Sequence, residues 1–157
     1  MRLLRFARND KNSRIPKKFL EFLKEILEQL VGRSSNGNVY FGLSTSTPNR
    51  DGTNVTEPSS GTGYSRVRIR YSQLDGSTYV FNEPAYDSST NTVKTSNQVQ
   101  IMFPEAKSSW GTITHFVIYT SLTGGTPIAY GALTSSVSPS ANQIAIIPVG
   151  GAVLEIE

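Results

Sequence analysis

Thr112-Ile-Thr-His-Phe-Val-Ile-Tyr-Thr-Ser-Leu-Thr-Gly-Gly-Thr-Pro-Ile-Ala-Tyr-Gly-Ala-Leu-Thr134 is the stretch that sets the fold class. Its flanks are rich in β-branched and aromatic residues, and Thr123-Gly-Gly-Thr-Pro127 between them is a turn signal. A strand over 112–120 that returns over 127–134 is an antiparallel pair. Working outward, similar runs bounded by turn residues occur at 38–44, 64–74, 78–82, 98–103, 143–148 and 152–156. Eight short strands predict a mainly β chain folded as an antiparallel, jelly-roll-like β-sandwich.

The details agree with antiparallel pairing. In Ser65-Arg-Val-Arg-Ile-Arg-Tyr71 basic and apolar residues alternate, which predicts Val67, Ile69 and Tyr71 inward and Arg66, Arg68 and Arg70 outward. Asp75-Gly76 reads as a two-residue hairpin turn, and Gly150-Gly151 joins the last two strands. Gly131 suggests a bulge or close packing within its strand, and Trp110, the sole tryptophan, suits a cap on the core. The segment from Thr45 to Gly63 has no apolar periodicity and is broken by Pro48, Gly52, Pro58 and Gly61, so it reads as an irregular loop. Loops of that length in compact domains are usually functional or disordered.

The first 33 residues differ. Lys17 to Val31 is the one strong helical pattern, with Leu20, Leu23, Leu27 and Leu30 on one stripe widened by Phe19, Phe22 and Ile26. Pro16 suits the helix start and Gly32 the left-handed C-terminal cap. Before it, Arg2, Arg5, Arg8, Lys11, Arg14 and Lys17 recur every third residue. That spacing cannot hold one face of a 3.6-residue helix and predicts a solvated arm. Residues 1–33 hold nine Lys/Arg against four Asp/Glu, whereas residues 34–157 hold six against eight. The chain therefore divides into a basic arm (1–16), an amphipathic helix that docks, oligomerises or lies on its own domain (17–32), a Ser/Asn/Gly linker (33–37) and the sandwich (38–157).

Composition excludes much chemistry. No cysteine among 157 residues means no disulfide framework and no thiolate site. One histidine, His115, cannot supply a zinc ligand set, and its strand context makes it a strand side chain. Gly61-Thr-Gly63 and Gly124-Gly125 lack the order of a phosphate loop. The carboxylates lie mostly beside turn residues, and nothing in the sequence pairs two across a cleft. Asn49, Asp51, Asn54 and Glu57 lack the regular oxygen spacing of a calcium loop and read as Asx-turn residues. No catalytic residue, metal or cofactor is expected. No apolar run is long enough for a bilayer span, so an unprocessed protein made in a cytoplasm, with no membrane partner, is the simplest expectation.

Three stretches carry a resemblance: Val39 to Pro58 (Val39-Tyr-Phe-Gly-Leu-Ser-Thr-Ser-Thr-Pro-Asn-Arg-Asp-Gly), Gly63-Tyr-Ser-Arg-Val67, and Ile101-Met-Phe-Pro-Glu-Ala-Lys-Ser-Ser-Trp-Gly to Tyr119 with Thr123 to Thr134. Together they resemble small tailed-bacteriophage virion structural proteins of tail-fibre, head-fibre or decoration type, in the same order over about residues 38–156. The resemblance implies a non-enzymatic β-sandwich assembled in the host cytoplasm into a virion, with other virion proteins and further copies of itself, as trimer or pentamer, for partners. The arm and helix, through Phe19, Leu20, Phe22, Leu23, Ile26, Leu27 and Leu30, would dock or oligomerise it while the sandwich projects. On that reading, deleting residues 1–33 leaves a folded domain. Two alternatives stand beside this. As a glycan- or receptor-binding module of the particle it would use Tyr64, Tyr86 and Trp110 at loop tips. As a nucleic-acid contact, the weaker alternative, it would use Arg2, Arg5, Arg8 and Arg14 of the arm.

Overall fold

A computed structural model describes residues 16–34 and 38–156. Helix α1 spans Lys17–Leu30. The Pro16 carbonyl accepts from the Phe19 and Leu20 amides at 2.9 and 3.0 Å, so the residue that lacks an amide opens the helix without leaving one unpaired. At the other end the Gly32 amide donates to Gln29 O and the Arg33 amide to Glu28 O, with Gly32 at φ +75°. This double bond across a left-handed glycine is a Schellman cap and satisfies carbonyls the helix leaves over. Leu23, Leu27 and Val31 are buried at four-residue intervals. Phe19, Leu20, Ile26 and Leu30 pack half-buried against the same cluster, while Phe22 stays 50% exposed.

The β-region is antiparallel throughout. β1 (Tyr40–Ser44), β2 (Val67–Arg68), β6 (Ile113–Tyr119) and β7 (Ala129–Val137) form one sheet in the order β2-β1-β6-β7. β3 (Ala85–Asp87), β4 (Thr92–Ser96) and β9 (Val153–Ile156) form a second, in the order β3-β4-β9, and β5 (Ile101–Glu105) pairs with β8 (Ile144–Ile147). The β6–β7 pairing predicted from residues 112–134 is present, with Val117 opposite Tyr130 and Phe116 opposite Gly131. Gly131 is required by close packing: a Cβ there would lie 2.7 Å from the Phe116 ring.

Register places Phe41 and Leu43 opposite Ile118 and Phe116, so the inner face of the first sheet is wholly apolar. Phe41 stacks on Phe116 at 5.0 Å and meets Phe81 and Phe103 at 6.4 and 6.2 Å. Tertiary contacts bring α1 onto β4 and β9, and Leu23, Leu27 and Val31 share one cluster with Val93, Leu154 and Ile156. The helix is thus part of the domain's core. Backbone bonds also tie the layers at their rims: Val80 N to Arg70 O, Gln98 N to Val80 O, Asn97 N to Ala152 O and Thr134 N to Gly151 O.

Nine strands occur among the described residues, and the pattern departs from the expected one in four places. The β3–β4 hairpin was not expected, because Thr92-Val-Lys-Thr-Ser96 has little apolar content; pairing with β9 makes it a strand. The predicted strand over 64–74 shortens to Val67–Arg68; its continuation meets residues 78–82 through a single bridge, Tyr71 with Tyr79, and residues 78–82 in turn bridge to Asn97 through Phe81. The Asp75-Gly76 turn is wider than two residues: Ser72 N bonds Thr78 O, and the Asp75 carboxylate accepts the Ser77 and Thr78 amides. Finally, Tyr71 is exposed and Arg66 is buried, the reverse of strict alternation.

Candidate functional site: an arginine clamp and the surfaces around it

Arg66 explains its own burial. Its guanidinium forks onto Glu57, Nε to Oε1 at 2.9 Å and Nη2 to Oε2 at 2.7 Å, and Nη1 donates to Ser121 O and Gly124 O at 2.9 and 2.7 Å. The planar group lies 3.3 Å from the centroid of the Tyr119 ring. Tyr64 donates to Glu57 Oε1 at 2.6 Å and accepts the Leu43 amide at 2.9 Å. Burial, then the Glu57 charge, pushes the Tyr64 phenol far above its ordinary value. Gly42 makes room: a Cβ there would come within 2.7 Å of Glu57 Oε1. The clamp therefore ties the end of the long loop to β2, to the outer face of β1 and β6, and to the turn after β6.

The rest of the loop is held by its own hydroxyls and amides. Ser44 Oγ accepts the Ser46 and Thr56 amides, Asn54 Nδ2 donates to Thr47 O, and the Asp51 carboxylate accepts the Thr53 amide at 2.9 Å. Bonds from the Thr53 side chain and backbone hold Asp51 below the usual carboxylate range. Of the four residues considered for calcium, Asn49 and Asp51 both bond Thr53, Asn54 Nδ2 donates to Thr47 O, and the Glu57 carboxylate is held by Arg66. Among the described residues no group of three His, Asp or Glu side chains is placed to hold a metal. His115 Nδ1 bonds Thr114 Oγ1 at 2.8 Å, and burial lowers its pKa. No helix among them is long and apolar enough to cross a membrane.

Two of the three aromatic residues considered for a ligand are core residues. Tyr64 is 8% exposed and Trp110 4%; the indole packs edge-on against Tyr64 at 5.3 Å and donates to Thr62 O at 3.0 Å. Trp110 thus caps the core, as its place in the sequence suggested. Tyr86 is half-buried and donates to Asn91 Oδ1. Of the helix residues, Leu23 and Leu27 face the core and Phe22 faces outward. Arg2, Arg5, Arg8 and Arg14 lie outside the described residues.

Sequence reasoning did not single out two polar groups that the fold depends on, the Glu57–Arg66 pair and Asn97. Asn97 is fully buried; its Nδ2 donates to Val99 O and Pro148 O, and its Oδ1 accepts the Ala152 amide. The signal for Arg66 was present as an arginine in an alternating strand, but its partner is nine residues away across an irregular loop. Near the helix end lies a further group. Arg33 stands 4.3 Å over Tyr79, Tyr79 lies 5.1 Å from Tyr71, and Arg70 stands 5.1 Å over Tyr71. Arg68, on the outward side of β2, is exposed.

A family model described as Podophage GP4 fiber I protein gp80 matches residues 24–155. That span begins inside α1 and ends within β9, so it takes in Leu27 and Val31 together with the sheets they pack on. No curated protein matches the chain.

Proposed function

From its membership of the Podophage GP4 fiber I protein gp80 family, to which the chain belongs, we propose that this protein is a non-enzymatic building block of a phage fibre, docked into the virion through its N-terminal region. The fibre family places it among the structural proteins of a phage particle, in contact with other virion components. The docking role rests on α1. Its inner stripe belongs to the domain's own core, yet Phe22 remains half-exposed beside Phe19, next to Pro16, where the basic arm joins. Docking is thus assigned to the arm and the outer side of the helix, while Leu23 and Leu27 hold the helix in place.

The glycan-binding alternative loses two of its three contact residues to the core, which leaves Tyr86 as its support. The test of the docking role is complementation of a phage lacking this gene product with a chain deleted for residues 2–15. Normal folding with incorporation reduced at least about tenfold is the expected outcome; incorporation at the full-length level overturns the proposal.

A further inference from the structure

The β5–β8 pair breaks the usual division of an antiparallel pair into one apolar and one polar side. Ile101, Phe103, Ala145 and Ile147 point into the core. The alternate positions, where polar residues belong, are Met102, Pro104, Ile144 and Ile146. Ile144 is 53% exposed and Ile146 41%, and Ile146 stands opposite Met102. Gln73 extends this face. Its Nε2 donates to Met102 O and its Oε1 accepts the Met102 amide, both at 3.0 Å, so the side chain pairs with the free edge of β5 much as a peptide group of a neighbouring strand does. That pairing brings the next residue, Leu74, at 71% exposure, beside β5. Carboxylates flank the apolar residues: Glu105 lies opposite Ile144, and Asp75 follows Leu74. Both are exposed, and neither enters an ion pair with another described residue. Clustered exposed aliphatic side chains on a polar domain mark a contact site, and acids beside them suit an apolar segment flanked by bases.

The chain contains such a segment outside the described residues. In Met1-Arg-Leu-Leu-Arg-Phe-Ala-Arg8, Leu4 and Phe6 are two positions apart, with Arg2 and Arg8 two further on either side. Extended backbone sets all four on one side in the order basic, apolar, apolar, basic. The ten-residue step from Phe6 to Pro16 spans up to about 35 Å, enough to pass round a domain of this size, whose radius of gyration is about 14 Å. We propose that in the free chain residues 2–8 lie across the outward face of β5 and β8 of the same chain, with Leu4 and Phe6 on Ile144, Ile146 and Leu74 and the flanking arginines toward Asp75 and Glu105. The contact covers the arm's apolar side chains until a virion partner displaces it; that consequence rests on the docking role given to the arm.

The test uses the full chain. Because Ile146 is exposed, Ile146→Lys should fold normally, which calorimetry verifies, while losing the apolar contact and repelling the arginines. Trypsin cleavage after Arg5, read by mass spectrometry, is expected to be at least about tenfold slower in wild type than in this variant, because cleavage follows the population of the open arm. The chain has no cysteine, so Ala7→Cys carries a single spin label. The label should broaden the methyl NMR signals of Ile144 and Ile146 more than that of Ile118, which is buried in the first sheet. Equal cleavage rates in a folded variant, or Ile144 and Ile146 signals untouched by the label, overturn the proposal. So does equal broadening in a mixture where the labelled and the observed chains are different copies, since the arm then belongs to another molecule. Particle incorporation separates this contact from the docking role: an unprotected arm removes the contact alone, whereas full incorporation of the chain lacking residues 2–15 removes the docking role alone.

Discussion

Asn97 shows how one residue can hold three segments. Its amide serves Val99 O, Pro148 O and Ala152 N inside a site with no exposure, so an apolar replacement would remove the bonds of Val99 O and Ala152 N and leave Pro148 O with the Gly151 amide alone. Asn97→Leu is expected to cost about 3 kcal/mol, because an unmet buried polar group carries its full desolvation penalty. Urea midpoints at unchanged slope are the measurement, and a loss under about 1 kcal/mol would contradict this account. Exposed carboxylates give a second expectation. The Thr78 side chain, with the Ser77 and Thr78 amides, lowers Asp75 from 3.8 to about 2, and the Ser89 bonds with Lys94 lower Asp87 further. A depressed carboxylate pKa adds stability above its unfolded value and loses it as pH falls through the folded one. Stability is therefore expected to decline between about pH 4 and pH 2. NMR titration of the carboxyl carbons locates the two groups, and an Asp75 midpoint near 4 would refute the turn bonding.

Among the elements, α1 is where sequence and structure bear most directly on function. An amphipathic stripe states that something must cover it, but not whether the cover is the same chain or another. The structure supplies the cover for Leu23, Leu27 and Val31 and leaves Phe22 outside. Leu27→Ala should therefore cost about 2–5 kcal/mol, as other buried leucines do. Phe22→Ser should change stability by less than about 0.5 kcal/mol and act on particle incorporation instead. Comparable losses for both, read by thermal or urea unfolding, would show that the two sides of the helix are not divided in this way. β3 and β4 make the opposite point. Ala85-Tyr-Asp87 and Thr92-Val-Lys-Thr-Ser96 are short and carry little apolar patterning, and they become strands because β9 presents an edge to β4, and β4 in turn one to β3.

On the scale of the whole molecule, the helix and the sheets form one core. Removing residues 1–33 would uncover the faces of Val93, Leu154 and Ile156 that Leu23, Leu27 and Val31 pack with, on the order of 5 kcal/mol of apolar burial. That is comparable to the total stability of a small domain, so this truncation is expected to abolish cooperative unfolding, contrary to the reading of the helix as a separable appendage. Removal of residues 1–15 should leave the transition intact. Differential scanning calorimetry of both truncations decides the matter, and a sharp native transition in the shorter chain would restore the appendage.

The sequence by itself determined what depends on local chemistry. The antiparallel β class, the helix with its Gly32 cap, the core role of Trp110, the close packing at Gly131 and the phage structural family were all legible, because turn residues, side-chain periodicity and steric need act within a few positions. Tertiary structure decided what depends on partners distant in the chain or on unequal covering of a strand's two faces. Alternation assigned Arg66 to solvent, but the long loop folds over that face and brings Glu57 to it; Asn97 reads as one more turn residue until Pro148 and Ala152 arrive beside it. Period-two patterning reports which face a side chain takes, whereas burial depends on what lies over that face, and that is set by segments the pattern does not contain.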